Sequence, residues 1–373
     1  MPLRHPRLSP HAAGAQAVNP DEGGAIDPPH PLQAAPTAAA SASAGAATTH
    51  LQWHAEALWQ QLEPHLPGLS IEILARAEST NSLLLDRARV GSGRRDGPVT
   101  TPGELEAMRS RGRDASALGA DAGPFGRRAG DTQPTLLVAE HQTLGRGRQG
   151  RTWQASAGAS LTVSLGLPLA PRDWSGLSLA VGVTLADALE PPEPGRSPRL
   201  QLKWPNDLWL LDSPATAALG RKLGGVLIET VAVGRQRMVV VGVGLNIAAL
   251  ALTQAREMSS GFACLQEIEP AASAPAALHR VALPLIKALH QFEREGFAGF
   301  APAYARRDLL RGQRVTAQDQ ASPGAVLAGT VEGVSGRGAL LLRVGAALHL
   351  VSSGEVSVRL ADPAAASCGP AQA

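Results

Sequence analysis

Two hydrophobic periods divide the chain from residue 51 onward. Leu51, Ala55, Leu58, Trp59 and Leu62 recur at spacings of three and four, which predicts a short amphipathic helix that Pro64 and Pro67 end. Ser70-Ile71-Glu72-Ile73-Leu74 alternates as a strand does. A polar cluster, Glu78-Ser79-Thr80-Asn81-Ser82, then precedes helical Leu83-Leu84-Leu85-Asp86-Arg87. Ser, Thr and Asn at that position suit a helix N-cap. Leu161, Val163, Leu165 and Leu167 alternate with Thr162, Ser164 and Gly166, predicting a strand with one face buried. Leu177, Ala180, Val181, Thr184, Leu185, Ala188 and Leu189 lie on one helical face that runs to Pro191.

After that helix the strand period returns. Leu200 and Leu202 begin a strand that ends in Lys203-Trp204-Pro205-Asn206-Asp207, and Leu208-Trp209-Leu210-Leu211 starts the next. With Arg221 to Glu229 and Met238 to Ile247 these pieces read as an antiparallel meander. Leu278, Val281, Leu285, Leu289 and Phe292 mark a long closing helix. Beyond Gly312, short β-rich pieces (314–317, 326–331, 339–344, 347–351 and 355–359) separated by Gly-rich turns predict a small closed barrel.

Composition marks the segments that carry no period. Residues 1–48 are mostly Ala, Pro, Gly, His and Ser, too poor in large aliphatics to offset ordering entropy, and are expected to be disordered. They lack the apolar core of a secretory signal and show no helix-turn-helix pattern. Arg4 and Arg7, with no acid before Asp21, leave a transit peptide as the alternative. Residues from about 89 to 133 read as an insertion, partly disordered, with a short helix expected between Thr101 and Arg113. The last residues, 362–373, read as a frayed tail.

With Lys and Arg totalling 34 against 32 Asp and Glu, the chain offers no global basic field for nucleic acid or membrane. Its two cysteines, Cys264 and Cys368, exclude a disulfide framework or a cysteine zinc site and suit a reducing compartment, so a cytoplasmic location is expected. His50 and His54 have H-x-x-x-H spacing without the glutamate or third ligand of a zinc enzyme. No apolar run reaches the roughly 20 residues of a membrane span.

The candidate chemistry centres on Gly145-Arg146-Gly147-Arg148-Gln149-Gly150-Arg151 and nearby Trp153. Arginine suits bidentate contact with phosphate or carboxylate, and glycine lets the backbone approach an anion closely. Gly145-x-Gly147-x-x-Gly150 has the spacing of a dinucleotide fingerprint, but a strand follows it instead of a helix, and position 170 is Ala where an acid is required. No Gly-Lys-Ser/Thr phosphate loop is present. One short RGG-like repeat without interleaved aromatics is thin support for RNA contact.

Five pieces in order carry a more specific signal: Ser79-Thr80-Asn81; Gln142 through Gly145-Arg146-Gly147-Arg148-x-Gly150-Arg151 to Trp153; Lys203-Trp204-Pro205-Asn206-Asp207; Arg221-Lys222-Leu223-Gly224-Gly225-Val226-Leu227; and Gly242-Val243-Gly244-Leu245-Asn246. The series resembles the biotin–protein ligases over roughly residues 70–360. That resemblance implies an α+β fold. Its catalytic domain, residues 49–310, would resemble a class II aminoacyl-tRNA synthetase, with a mixed, largely antiparallel sheet and helices. A small C-terminal SH3-like β-barrel would follow at 311–361.

The resemblance also implies a reaction. ATP would activate biotin to biotinyl-5′-AMP, and biotin would pass to one lysine of a biotin carboxyl carrier protein. Arg148 and Lys222 would be catalytic. Ser79, Thr80, Asn81, Gln142, Arg146, Gly147, Arg148 and Lys222 would contact biotin. Gly145, Arg148, Arg151, Trp153, Asn206, Asp207 and Asn246 would contact ATP, and Asp207 would meet Mg²⁺ brought by the nucleotide. No DNA or membrane partner is expected, and a homodimer is compatible with the family pattern. Two other functions stay open: a lipoate or octanoyl ligase or transferase of the same fold, and a non-catalytic RNA-binding module.

Overall fold

The computed structural model describes residues 51–90, 132–212, 220–250, 260–319, 326–352 and 356–360. The expected disordered leader, the helix between Thr101 and Arg113 and the C-terminal tail lie outside the described residues.

The predicted first helix is α1, Ala55–Leu62, with Leu58 and Leu62 buried. Strand β1, Ser70–Ala77, pairs in parallel with β2, Thr135–Gln142. A parallel pair cannot be joined by a tight hairpin, and helix α2, Thr80–Val90, lies in the connection between them. Among the described residues the other pairings between named strands are antiparallel. Strand β5, Ser160–Pro168, joins β2 to β9, Gln236–Asn246. The meander then runs outward through β8, Arg221–Val233, β7, Asp207–Leu210, and β6, Leu200–Lys203. The seven-stranded order is β1-β2-β5-β9-β8-β7-β6.

Helices cover this sheet on two faces. On one, α3 (Leu177–Leu189) and the amphipathic α4 (Ala274–Glu295) pack on Leu161, Val163, Leu165 and Leu167 to form the main core. The α4 N-terminus is capped by Ser273, whose hydroxyl accepts from the Ala276 N–H. On the opposite face α2 places Leu84 and Leu85 over Leu137 and Val240. The one-sided burial expected of β5 is therefore corrected. Residues 160–167 are buried throughout, because α2 covers the Thr162–Ser164–Gly166 face. Small polar residues on that face leave room for the helix and give it hydrogen-bond partners.

A short helix that the hydrophobic pattern does not reveal, α5 (Ala301–Arg307), ends in a buried arginine. The Arg307 guanidinium donates to Asp187 and Glu190 of the α3 segment and to the Leu200 carbonyl, so its charge is paired where it is buried. The C-terminal strands are β10 (Arg314–Asp319), β11 (Val326–Val334), β12 (Leu340–Val344), β13 (Ala347–Val351) and β14 (Val356–Leu360). They form one antiparallel sheet in the order β13-β12-β11-β10-β14. Among the described residues no pairing joins β13 to β14. The Trp204 indole N–H donates to the Gly338 carbonyl at 3.0 Å and ties the Lys-Trp-Pro-Asn-Asp segment to this sheet.

Candidate active site

Sequence segments far apart converge on the face of β8 and β9 that α2 covers. The register sets Gly225 opposite Gly244 and Leu227 opposite Gly242. These glycines form a floor without side chains. A Cβ on Gly242 would collide with the Asn81 carboxamide, and one on Gly244 would lie 2.6 Å from the Trp153 ring. A Cβ on Gly225 would lie 3.2 Å from Asp207 Oδ1. Glycines inside a strand mark close approach by another group, and here three different groups approach.

The first group is a buried neutral network at the α2 N-terminus. Ser79, Thr80 and Asn81 are all nearly inaccessible. Ser79 Oγ accepts from the Ser82 N–H at 3.4 Å, the helix-cap role its residue type predicts. Thr80 and Asn81 instead face the sheet. The Thr80 N–H and hydroxyl donate to Gln142 Oε1 at 2.7 and 3.1 Å. The Ser164 hydroxyl lies 2.6 Å from both Thr80 Oγ1 and Asn81 Oδ1. Asn81 Nδ2 donates to the Leu227 carbonyl at 3.2 Å and to Glu229 Oε2 at 3.0 Å. The result is a set of hydroxyls and carboxamides suited to a neutral polar ligand.

The second group is cationic. Lys222 Nζ lies 2.7 Å from Asp207 Oδ1, with both side chains mostly shielded. Lys203 stands opposite Asp207 in the β6–β7 register, and its ammonium sits over the Trp209 ring at 4.7 Å. Burial pulls the Lys203 pKa down; Asp207 opposes that shift and the neighbouring Lys222 adds to it. Arg148 is likewise lowered chiefly by burial, with Asp207 opposing and Arg151 adding. Lys203, Lys222 and Arg148 thus crowd around one carboxylate, an excess of positive charge that an incoming anion would relieve.

The glycine–arginine loop bridges the two groups. Gly145–Arg146 and Thr152–Trp153 form a tiny antiparallel ladder, β3 and β4, around a single 3₁₀ turn at Arg148–Gly150. Gly145 lies so close to the Trp153 carbonyl that a side chain there would clash. The Gly147 N–H donates to the Arg151 carbonyl at 2.7 Å. Arg146 reaches Glu229 at 2.9 Å on the neutral side. Arg148 reaches Asn206 Oδ1 at 3.5 Å on the cationic side and lines, with Asn206, Val226, Ile228 and Trp174, an open groove of about 450 Å³. The Trp153 Nε1 is buried with no acceptor among the described residues, an orphaned donor of a kind that functional sites retain.

Of the expected site residues, Asn246 is engaged from behind. Its carboxamide donates to the Ala263 and Lys222 carbonyls, so it supports the lysine backbone. Arg151 is exposed at the end of the loop. For a divalent cation the site offers one carboxylate, Asp207, held by Lys222, beside Asn206 Oδ1. Among the described residues no cluster of three or more His, Cys, Asp or Glu side chains exists. That donor set does not fit a resident metal, yet it does fit Mg²⁺ carried on phosphates, which needs only one or two protein carboxylates.

Two contributors escape a reading of the sequence as separate motifs. Ser164 looks like the polar side of an ordinary strand and Glu229 like a solvated charge, while Lys203, which opens the Lys-Trp-Pro-Asn-Asp motif, takes no site role of its own from that reading. The hint for Ser164 was the run of only small residues, Thr162, Ser164 and Gly166, on one face.

Comparison with known proteins identifies the family. Residues 128–246 match the biotin/lipoate A/B protein ligase family, and residues 311–359 match the biotin protein ligase C-terminal domain. The chain is 33% identical over 240 residues to a biotin–[acetyl-CoA-carboxylase] ligase of Mycobacterium tuberculosis, covering 61% of this chain and 79% of that protein. It is 32% identical over 240 residues to the bifunctional ligase/repressor BirA of Salmonella typhimurium, covering 63% of this chain and 68% of that protein. A biotin protein ligase from Aquifex aeolicus, solved in complex with biotin and ATP, superposes with a TM-score of 0.53 at 23% identity. That superposition covers 79% of this chain and 100% of the other, a likeness of fold. The two family models fall on the sheet that carries the loop and on the C-terminal strands, and with relatives above 30% identity covered over two thirds of their length, this chain is a member of the biotin protein ligase family.

Proposed function

We propose that the chain activates biotin with ATP to biotinyl-5′-AMP and transfers the biotinyl group to a lysine of a biotin carboxyl carrier protein. One observation carries the reading: a neutral hydrogen-bonding pocket and a cation cluster share one glycine-floored sheet face, bridged by a single arginine loop. A ligand with a neutral ring and a carboxylate tail matches that sequence of environments, with nucleotide phosphates at the cationic end.

In the first step a biotin carboxylate oxygen attacks the α-phosphorus, and the bond to the bridging oxygen breaks as pyrophosphate leaves. An anion approaching a polyanion needs fixed positive charge in the transition state. Arg148 and Lys222 supply it, and Asp207 holds the Lys222 ammonium in place before substrate arrives. Thr80, Asn81 and Gln142, with Ser79 at the helix cap, receive the ureido ring, and Arg146 and Gly147 cover its chain. Gly145, Arg151, Trp153 and Asn206 face the nucleotide, and Asn246 acts from behind by fixing the Lys222 backbone. Mg²⁺ enters with the phosphates as part of the substrate, with Asp207 and Asn206 as the oxygen donors at that end. In the second step the acceptor amine attacks the mixed anhydride, loses a proton and releases AMP. Because the anhydride hydrolyses in water, the loop serves as its cover.

The seven-stranded unit is read as a class II aminoacyl-tRNA synthetase-like catalytic domain over residues 49–310, and the five-stranded sheet as an SH3-like domain over 311–361. Among the described residues β8 pairs with β7 only as far as Gly225 and bonds Asn206 and Asn81 through Val226 and Leu227, and its edge beyond Leu227 would suit a second copy. Among the described residues no helix is long and apolar enough to cross a membrane. The deciding assay is ATP–pyrophosphate exchange. Exchange is expected with biotin; exchange with lipoate alone would transfer the assignment to the lipoate branch, and none with either would leave a non-catalytic protein.

A further inference from the structure

The carboxylate of Glu229 touches both halves of the site. Its Oε2 accepts from Asn81 Nδ2 at 3.0 Å, and its Oε1 accepts from Arg146 at 2.9 Å. Arg146 also reaches Ser82 Oγ at 3.3 Å. Through Asn81 the contact continues to Ser164 and then to Thr80 and Gln142. Glu229 side-chain exposure is 23%, against 48% for Arg146, so the anion is the buried and fixed member of the pair. One side chain therefore holds the carboxamide of the neutral pocket and the first arginine of the loop.

From this geometry we infer that Glu229 is a positioning residue for biotin activation, latching the loop over the neutral pocket and setting the orientation of Asn81. The inference rests on the proposed function for its substrate, while the latch itself rests only on the contacts. Two consequences separate it from a purely structural role. The Glu229 charge faces the neutral pocket and Arg146, whereas Lys222, Lys203 and Asp207 form a separate cluster, so its loss weakens biotin more than ATP. Its loss also frees the loop. Removing a charge-assisted hydrogen bond costs a factor of about 10 or more in binding where the pair is shielded.

The experiment uses the full chain and compares wild type with Glu229→Gln, which keeps the shape and an acceptor for Asn81 but removes the negative charge that pairs with Arg146, and Glu229→Ala, which removes both. Biotin-dependent ATP–pyrophosphate exchange is expected to show a KM for biotin raised about tenfold in Glu229→Gln and further in Glu229→Ala, with the KM for ATP within about twofold of wild type. Trypsin without ligands is expected to cut after Arg146, Arg148 or Arg151 several-fold faster in both variants at a temperature well below either thermal midpoint. Combining Arg146→Ala with Glu229→Gln should add little to either single effect. Equal rises in both KM values with a lowered midpoint, or unchanged KM values and unchanged cleavage, overturn the latch. If wild type shows no biotin-dependent exchange, the functional reading fails and the substrate part of the inference with it, while the cleavage rates still decide whether Glu229 holds the loop.

Discussion

Replacing Gly242 by alanine tests how the glycine floor works. The added Cβ would overlap Asn81 Oδ1 and lie 2.9 Å from Cγ and 3.1 Å from Nδ2 of the same side chain. Asn81 has nowhere to retreat without loss. Its Nδ2 is bonded to Leu227 and Glu229, and its Oδ1 accepts from the Ser164 hydroxyl. Displacing it forfeits two neutral bonds at about 1 kcal/mol each and one to a charged group at about 1.5–3 kcal/mol. The gain from alanine over glycine in a strand offsets roughly 0.5–1 kcal/mol. The net expectation is a destabilisation of about 2.5–4.5 kcal/mol, read as a lowered urea midpoint at unchanged slope. Weakened biotin-dependent exchange should accompany it. The decisive version is a double-mutant cycle with Asn81→Ala, which removes the colliding atoms. In that background Gly242→Ala should be nearly neutral, giving a coupling on the order of 2 kcal/mol. Additive effects would show that the glycine is not there for Asn81, and the account of the floor would fall.

Three further outcomes are expected. Lys222→Ala should lower the exchange rate by about 10²–10³-fold with the circular dichroism spectrum intact, because the partner of the lysine is a ligand and one mostly shielded carboxylate rather than the apolar core; an unfolded variant would contradict that role. Biotin with ATP should protect the bonds after Arg146, Arg148 and Arg151 from trypsin, and equal cleavage with and without ligands would count against the loop as a cover. Burial raises the Asp308 carboxyl to about 6, against the opposing N–H groups of Leu310 and Arg311. A folded pKa above the unfolded value means that its contribution is fully present below about pH 4 and lost as pH rises through 6. Asp308→Asn, which imitates the neutral acid, should therefore be more stable than wild type at pH 7.5 by roughly 1–2 kcal/mol, and urea midpoints followed from pH 7.5 down to about pH 4 should show the difference shrink below pH 6 and become small at the lowest value.

Much of the architecture is legible in one dimension because helix and strand periods are local. The α4 stripe from Leu278 to Phe292 and the β8–β9 meander follow directly from residue spacing. The five motifs were legible too, since their residue types at loops and strand ends are unusual for a core. What spacing cannot encode is which face of a strand another element will cover. Ser164 alternates like a solvent-facing residue, and only the packing of α2 on that face makes it a buried hydroxyl between Thr80 and Asn81. Arg307 ends a helix that has no clear stripe, and only its three-way pairing explains why it is buried.

By itself, then, the sequence determined the inventory: a glycine–arginine loop able to handle anions, a Ser-Thr-Asn cluster able to cap a helix or bind a neutral ligand, and lysines at strand ends. Tertiary structure decided the assembly. The pairing of β8 with β9 aligns Gly225, Gly242 and Gly244 on one face, so Asn81, Trp153 and Asp207 come within contact of the same floor. Burial beside Asp207 then gives Lys222, Lys203 and Arg148 their charged neighbourhood, and Glu229 joins the loop to the neutral pocket. The physical reason is that hydrogen bonding and charge interactions depend on distance and desolvation, and both are properties of the folded chain.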